Sequence, residues 1–120
     1  MAKRYIIECS NPWFTLIKQG IKPVEGRKAN SKWNSIKKGD IITFTDGKDG
    51  KFDALVTDVN PYHSPNALQK YLEAETLARA LPGITTIEEG MKIYHTWSTP
   101  EEIEETGFLG IQVKVIHPNA

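Results

Sequence analysis

The order of strand-like and helix-like segments is the feature that most restricts the fold of this chain. Two β-type runs, Ile41–Thr45 and residues 52–59, are joined by a turn rich in Gly and Asp, so they form a hairpin. About 45 residues of mainly helical pattern follow before the alternating strand Phe108–Ile116. Because the apolar residues of these three strands need a common core, we expect them in one curved sheet that the helices cap.

The segments before the hairpin add a strand and a short helix. Residues 4–8 form a β-type run, and residues 12–19 form a helix that should end at Gly20 and bury Trp13, Leu16 and Ile17. Strands and helices therefore do not alternate regularly, which disfavours a parallel doubly wound sheet. The pattern predicts an α+β domain built on a small, partly closed β-barrel with helices inserted between the hairpin and the last strand.

The insertion itself carries several helix boundaries. A helical run that includes Leu68 stops at residues 81–83, where Pro and Gly follow Leu. Thr86 and Glu89 form a capping box that opens a helix over residues 87–97. Another short helix begins after Thr99 and ends at Gly107.

Length and residue usage restrict the class of protein. A chain of 120 residues is long enough to bury a core without metal or disulfide support, so we expect a single domain over residues 1–120. Cys9 is the single cysteine, and no signal peptide or apolar run of membrane-spanning length is visible, which favours a reducing, cytoplasmic compartment. No zinc-ligand spacing, Gly-rich phosphate loop or nucleophile elbow occurs, so we expect no metal and no cofactor.

The formal net charge is zero, but the charges are unevenly distributed along the chain. Residues 1–60 carry 11 basic and 7 acidic side chains, whereas residues 61–120 carry 4 and 8. Seven basic residues between positions 18 and 38 could attract phosphates, although for lysines alone a solvated loop is the better explanation. Within this stretch Trp33 lies close to Lys28 and Lys32, and a flat ring among cations suits base stacking.

A lysine, a glutamate and an arginine are concentrated between Gly20 and Arg27. On an extended strand Glu25 and Arg27 project to the same face, because side chains alternate with period two. If Glu25 pairs with Arg27, Lys22 is left for a ligand; if it pairs with Lys22, that lysine stays protonated and acts as a cationic donor. The residues alone leave both pairings open. As a turn residue, Lys22 should contribute little to folding.

The stretch from Gly20 to Arg27 resembles the signature G-x-K-x-V/I-E/T-x-R of the ASCH domain, a branch of the PUA-like superfamily. Further similar elements follow in the order found in small single-domain ASCH proteins: Ile36-Lys37-Lys38-Gly39-Asp40, Leu81-Pro82-Gly83 and Pro100-Glu101-Glu102. The resemblance implies a PUA-like barrel whose cleft holds the signature residues and takes RNA, a nucleobase or a modified nucleoside. It also implies that the region of Tyr94 approaches this cleft.

A more distant resemblance is to small N4-acetylcytidine amidohydrolases, which use a lysine, a threonine and a glutamate. Carried across by motif, the lysine falls on Lys22 and the glutamate on Glu75, while Glu25 replaces the threonine and so removes its hydroxyl. Two functions from different classes follow. The first is a binding module for RNA or a nucleoside, which should depend on the lysines and Trp33 and respond strongly to salt.

The second is a small hydrolase, either an amidohydrolase on N-acylated nucleosides or an RNA-cleaving enzyme, with Lys22, Glu25 and Glu75 as its catalytic residues. A third possibility is a scaffold domain with a vestigial cleft. For the binding module, the expected ligand contacts come from one group of residues: Lys22, Arg27, Lys28, Lys32, Trp33 and Tyr94. The sequence does not specify the oligomeric state.

Overall fold

The computed structural model describes residues 2–30 and 32–117, and these contain five strands and five helices. In chain order the elements are β1 (Arg4–Glu8), α1 (Trp13–Lys18), β2 (Val24–Lys28), β3 (Ile41–Thr45), β4 (Lys51–Tyr62), α2 (Ala67–Glu75), α3 (Leu77–Ala80), α4 (Ile87–His95), α5 (Pro100–Thr106) and β5 (Phe108–Ile116). Strand β4 extends three residues beyond the predicted 52–59, to Tyr62. Over the described residues, no helix is long and apolar enough to cross a membrane.

The five strands form one sheet in the order β1-β3-β4-β5-β2. Strand β1 is parallel to β3, and every other pair is antiparallel. The hairpin β3–β4 and the closing strand β5 therefore lie in one sheet, as predicted, and the sheet curves into a half-barrel with helices around it. Strands β1 and β2 are its two edges, so the barrel stays open between them.

The sheet has a core on each face, and β5 contributes to both. Leu109, Ile111 and Val113 point into an inner core that α1 covers, whereas Phe108 points into a second core against α2 to α5. Alternation along a strand explains this division, because successive side chains point to opposite faces. The inner core includes Ile17 of α1, as predicted.

The buried face of α1 differs in part from the prediction. Phe14 and Ile17 are fully buried, whereas Trp13 and Leu16 are only partly buried. Trp13 lies at the boundary of the two cores and packs against both. The helix ends as predicted, because Gly20 adopts a left-handed φ of 79° that residues with a Cβ rarely take.

The predicted cap at Thr99 is confirmed, whereas at Thr86 only one of the two hydrogen bonds of the predicted capping box is present. The Thr86 hydroxyl accepts a hydrogen bond from the Glu89 backbone N–H, and Thr99 and Glu102 form a reciprocal capping box at α5. The break after α2 was not predicted. Thr76 separates α2 from α3 with φ 71°, a conformation that carries strain in a β-branched residue, and it lets α3 turn toward β2.

Candidate functional site

A cavity of about 470 Å³ opens where the half-barrel fails to close. The end of β1 contributes Glu8 and Cys9, the loop after it contributes Ser10, and β2 contributes residues 25–28. We call this space the β1–β2 cavity. Five aromatic residues line it, namely Trp13, Trp33, Tyr94, Trp97 and Phe108. Its acidic and basic residues are Glu8, Lys22, Glu25, Arg27, Lys28 and Asp46.

Strand β2 directs the signature side chains toward this cavity. Glu25 is paired with Ile111 of β5 and Arg27 with Leu109, so both share the face of the inner core. Glu25 is 6% exposed, and Arg27 donates to its Oε2 from Nη2 at 2.7 Å and from Nε at 3.0 Å. The alternative that Glu25 pairs with Arg27 is therefore the one observed. Its second oxygen, Oε1, accepts no hydrogen bond from any described residue and lies 4.0 Å from Lys22 Nζ.

Lys22 is buried, at 2% exposure, and its ammonium ties two elements together. Nζ donates to the Val24 carbonyl oxygen at 2.6 Å and to the Ala80 carbonyl oxygen, at the end of α3, at 2.5 Å. The expectation that Lys22 contributes little to folding is therefore wrong. Its removal would leave two buried carbonyl groups without their donor.

The protonation of Lys22 depends on opposing effects. Burial lowers the pKa of Lys22 below its usual value, while the charge of Glu25 acts to raise it. In either protonation state two N–H groups of Lys22 donate to carbonyl oxygens, so one position on Nζ remains for a ligand. That position is an N–H donor in the ammonium and a lone pair in the amine.

Trp33 is buried, although the sequence around it is polar. It is 4% exposed, belongs to the inner core and stacks on Tyr5 with ring centroids 5.3 Å apart. The Arg27 guanidinium lies 5.7 Å from the Trp33 ring centroid and Lys32 Nζ lies 5.0 Å from it. Trp33 thus lies in the loop between β2 and β3 with two cations against its ring, but the ring is buried and forms a wall of the cavity.

The other two lysines proposed as ligand contacts, Lys28 and Lys32, lie in different places relative to the cavity. Lys28 lines the β1–β2 cavity and pairs with Glu102 of α5 at 3.0 Å. Lys32 is exposed and does not line the cavity. Lys18, the first residue of the same cationic stretch, borders a second surface depression between α1 and the hairpin. The basic residues are therefore spread over several faces.

Glu75 lies on the opposite face of the sheet from Glu25. It approaches Gly110 and accepts a hydrogen bond from Gln112, whereas Glu25 is paired with Ile111 between them. Glu75 is 1% exposed and also accepts hydrogen bonds from the Tyr62 hydroxyl at 2.6 Å and Asn60 at 3.0 Å. The prediction that it shares one cleft with Lys22 is wrong, because Lys22 lines the β1–β2 cavity and Glu75 does not; its carboxylate is held by residues of β4 and β5 instead.

The hydrogen bonds around Glu75 fit a structural role. Burial acts to raise the pKa of Glu75, but the hydrogen bonds from Tyr62, Asn60 and Gln112 outweigh burial and hold that pKa below its usual value. The carboxylate thus remains charged and joins α2 to β4 and β5.

Tyr94 lines the cavity together with two residues that were not predicted from the sequence, Trp97 and Cys9. Tyr94 is 5% exposed and its hydroxyl lies 2.8 Å from the Tyr71 hydroxyl. Trp97 and Cys9 were not among the candidate site residues. The spacing of Tyr94 and Trp97 was the available signal, but it is equally typical of core packing. Burial and the nearby Glu25 raise the pKa of Cys9 to about 12, so its thiol is a weak nucleophile.

Comparison with known proteins places these features in a family. The family model described as the ASCH domain matches residues 7–117. The structure resembles the crystal structure of hypothetical protein PH0355, with TM-score 0.84 and 33% identity over 94% of this chain and 99% of that one. It also resembles the solution structure of protein PF0455 from Pyrococcus furiosus, with TM-score 0.73 and 30% identity over 98% and 99%.

An ASCH domain from Lactobacillus crispatus shares the fold at lower identity. Its crystal structure aligns with TM-score 0.61 and 14% identity over 94% of this chain and 79% of that one. No curated protein matches the sequence. The family match covers the signature strand β2, the β3–β4 hairpin, the helical insertion and the closing strand β5. The chain belongs to the ASCH domain family.

Proposed function

We propose that the β1–β2 cavity binds a nucleobase or nucleoside, either free or within single-stranded RNA. The observation that carries this proposal is an aromatic-walled cavity in which Lys22 and Glu25 stand side by side. Aromatic walls match the flat faces of a base, and a few convergent polar groups can fix its orientation. The volume of about 470 Å³ is within the usual range for small-molecule sites.

The charges around the cavity favour a neutral ligand. Among its lining residues, the acids Glu8, Glu25 and Asp46 balance Lys22, Arg27 and Lys28, giving a formal charge of zero. A phosphate in the interior would lie beside the Glu25 carboxylate, which costs free energy. A base edge avoids that repulsion.

The Lys22–Glu25 pair supplies complementary groups for such an edge. Nζ of Lys22 offers a donor and Oε1 of Glu25 offers a free acceptor, with 4.0 Å between the two atoms. Pyrimidine and purine edges carry a hydrogen-bond acceptor next to an N–H donor. Both partners are nearly dry, so the hydrogen bonds they make with a ligand compete little with water.

The test uses isothermal titration with the four ribonucleosides and N4-acetylcytidine, on the wild type, Lys22→Met and Lys22→Arg. Removing one charge-assisted hydrogen bond in Lys22→Met should weaken binding about ten- to a hundredfold, whereas Lys22→Arg should retain part of the affinity. Lys38→Met removes an exposed lysine outside the cavity and is the matched control. Because Lys22 also holds Ala80, thermal melting must show that each variant is folded at the assay temperature. Equal affinity in all four proteins, or no binding by the wild type, would contradict the proposal.

Lys22 also supports a second candidate function, hydrolysis of an N-acylated nucleoside. The specific observation is that burial lowers the pKa of Lys22 while two carbonyl oxygens hold its hydrogens, which would direct a lone pair to the ligand. In that case Lys22→Arg should be as inactive as Lys22→Met, because a guanidinium does not deprotonate near neutral pH. Mass spectrometry of N4-acetylcytidine incubated with each protein measures the difference. Because position 25 carries no hydroxyl, that residue cannot accept the acyl group, and water must finally take it up to complete the hydrolysis.

A further inference from the structure

Trp97 differs in exposure from the other aromatic residues of the β1–β2 cavity. Trp33, Tyr94 and Phe108 are 4%, 5% and 2% exposed, and Trp13 is partly buried, whereas Trp97 is 56% exposed. An indole costs free energy when its surface is left in water, since it is one of the largest apolar side chains. Trp97 lines the cavity and faces solvent at the same time, which puts it at the mouth.

The position of Trp97 is held by its backbone and by one ring contact. It follows α4, where the N–H groups of Trp97 and Ser98 both donate to the Tyr94 carbonyl oxygen, at 3.0 and 3.1 Å. Its ring packs edge-on against Tyr94, with centroids 5.6 Å apart and planes at 80°. An edge-on contact with one neighbour leaves much of the indole surface open to a second flat group.

We propose that Trp97 is an outer stacking platform, which holds the nucleotide next to the one whose base enters the β1–β2 cavity. This inference rests on the proposed function and narrows its ligand to single-stranded RNA. A base that reaches Lys22 must lie deep in the cavity, because Lys22 is only 2% exposed. The exposed indole at the mouth is then available to the neighbouring base, and stacking on an aromatic ring suits any base.

A cation at the same mouth supports a strand as the ligand. Lys28 lines the cavity, and its side chain is 23% exposed. Its partner Glu102 is half exposed, and a pair of this kind contributes little stability, so Lys28 can exchange it for a phosphate. One partly exposed lysine of the lining is enough to neutralise the single phosphodiester that joins two neighbouring bases.

The experiment compares short RNA with free nucleosides. Titrations use the single-stranded hexaribonucleotides of A, C and U and the corresponding ribonucleosides, on wild type, Trp97→Ala and Trp97→Phe. Trp97→Ala should weaken hexanucleotide binding by about five- to 150-fold, the loss expected for one stacked base, and should weaken nucleoside binding much less. Trp97→Phe keeps an aromatic face and should restore most of the hexanucleotide affinity.

Ile6→Ala is the matched control, because Ile6 is 63% exposed on β1 and does not line the cavity. It should leave both affinities unchanged. Equal losses for hexanucleotide and nucleoside in Trp97→Ala would overturn the outer platform and leave the proposed function standing. If the wild type binds nucleosides but binds no hexanucleotide more tightly than the corresponding nucleoside, the outer platform is likewise overturned and the proposed function stands. If neither ligand binds the wild type, the proposed function fails and the inference fails with it.

Discussion

Gly26 shows how single residues of β2 serve two packed faces. Glu25 and Arg27 point toward the inner core and the cavity, while Gly26 lies under Tyr71 and Phe108 in the second core. A Cβ at position 26 would lie 2.7 Å from Phe108 Cε2 and 2.7 Å from the Tyr71 hydroxyl oxygen, closer than real Cβ atoms approach. The aromatic rings can therefore approach β2 closely only because this residue has no side chain.

Gly26→Ala should reduce the free energy of unfolding by about 1–3 kcal/mol, because added volume in a packed core forces neighbours to move. Thermal and urea unfolding measure the change. In combination with Phe108→Leu, which removes one of the two obstructing groups, the losses should be less than additive. Unchanged stability of Gly26→Ala would show that α2 does not pack on β2 as described.

At the scale of elements, Glu75 joins α2 to the sheet. Its carboxylate accepts hydrogen bonds from Asn60 and Tyr62 of β4 and from Gln112 of β5. The last residue of α2 is therefore a buried carboxylate that accepts hydrogen bonds from three strand residues. A second connection runs from α3 to β2 through the Ala80 carbonyl and Lys22. The helical insertion is thus fastened to the sheet by polar groups as well as by its apolar core.

Glu75→Gln should destabilise the protein by about 1–3 kcal/mol near neutral pH, since an amide cannot accept all three donors. The pKa of Glu75 is lowered in the folded state, so the charge stabilises the fold above the unfolded-state pKa of about 4.3, and this contribution is lost as pH falls through the lower, folded-state value. The stability difference between wild type and Glu75→Gln should therefore shrink as pH falls from about 7 toward 3. Urea titrations at several pH values measure it. A difference that is independent of pH would mean that folding does not shift the pKa of Glu75.

At the scale of the whole molecule, the distribution of charge sets the expected response to salt. The formal net charge is zero, Lys22 is buried, Lys28 pairs with Glu102 and Lys32 packs over Trp33. Of the three lysines proposed as ligand contacts, Lys28 is the one that both lines the cavity and is partly exposed. The sequence predicts that RNA affinity falls strongly as salt concentration rises. From the structure we expect only a weak dependence.

For hexanucleotide binding, the slope of log K against log salt concentration should lie between roughly 0 and −1.4, corresponding to at most two phosphate contacts. Titrations between 50 and 300 mM salt, as rough limits, measure this slope over a useful range. The double variant Lys37→Gln/Lys38→Gln neutralises two exposed lysines outside the cavity and should bind like the wild type. A slope steeper than about −3, or a large loss in the double variant, would restore the lysine-rich stretch as the main binding surface.

Much of the fold was predictable because it depends on local signals. The hairpin, the caps at Thr86 and Thr99 and the closing strand follow from turn residues, capping side chains and alternation, which act within a few positions of the chain. The break at Thr76 was not predictable, because a β-branched residue there gives no sign of a positive φ. Packing of α2 and α3 against the sheet compensates for that strain.

The class of fold and the signature residues Lys22, Glu25 and Arg27 could be recognised in the sequence, since both depend on patterns of neighbouring residues. The face of the sheet that each side chain occupies, and its exposure to water, follow from tertiary packing. That packing puts Glu75 and Glu25 on opposite faces of the sheet, buries Trp33 and leaves Trp97 at the cavity mouth. These outcomes depend on contacts between residues far apart in the chain, and spacing along the sequence does not record such contacts.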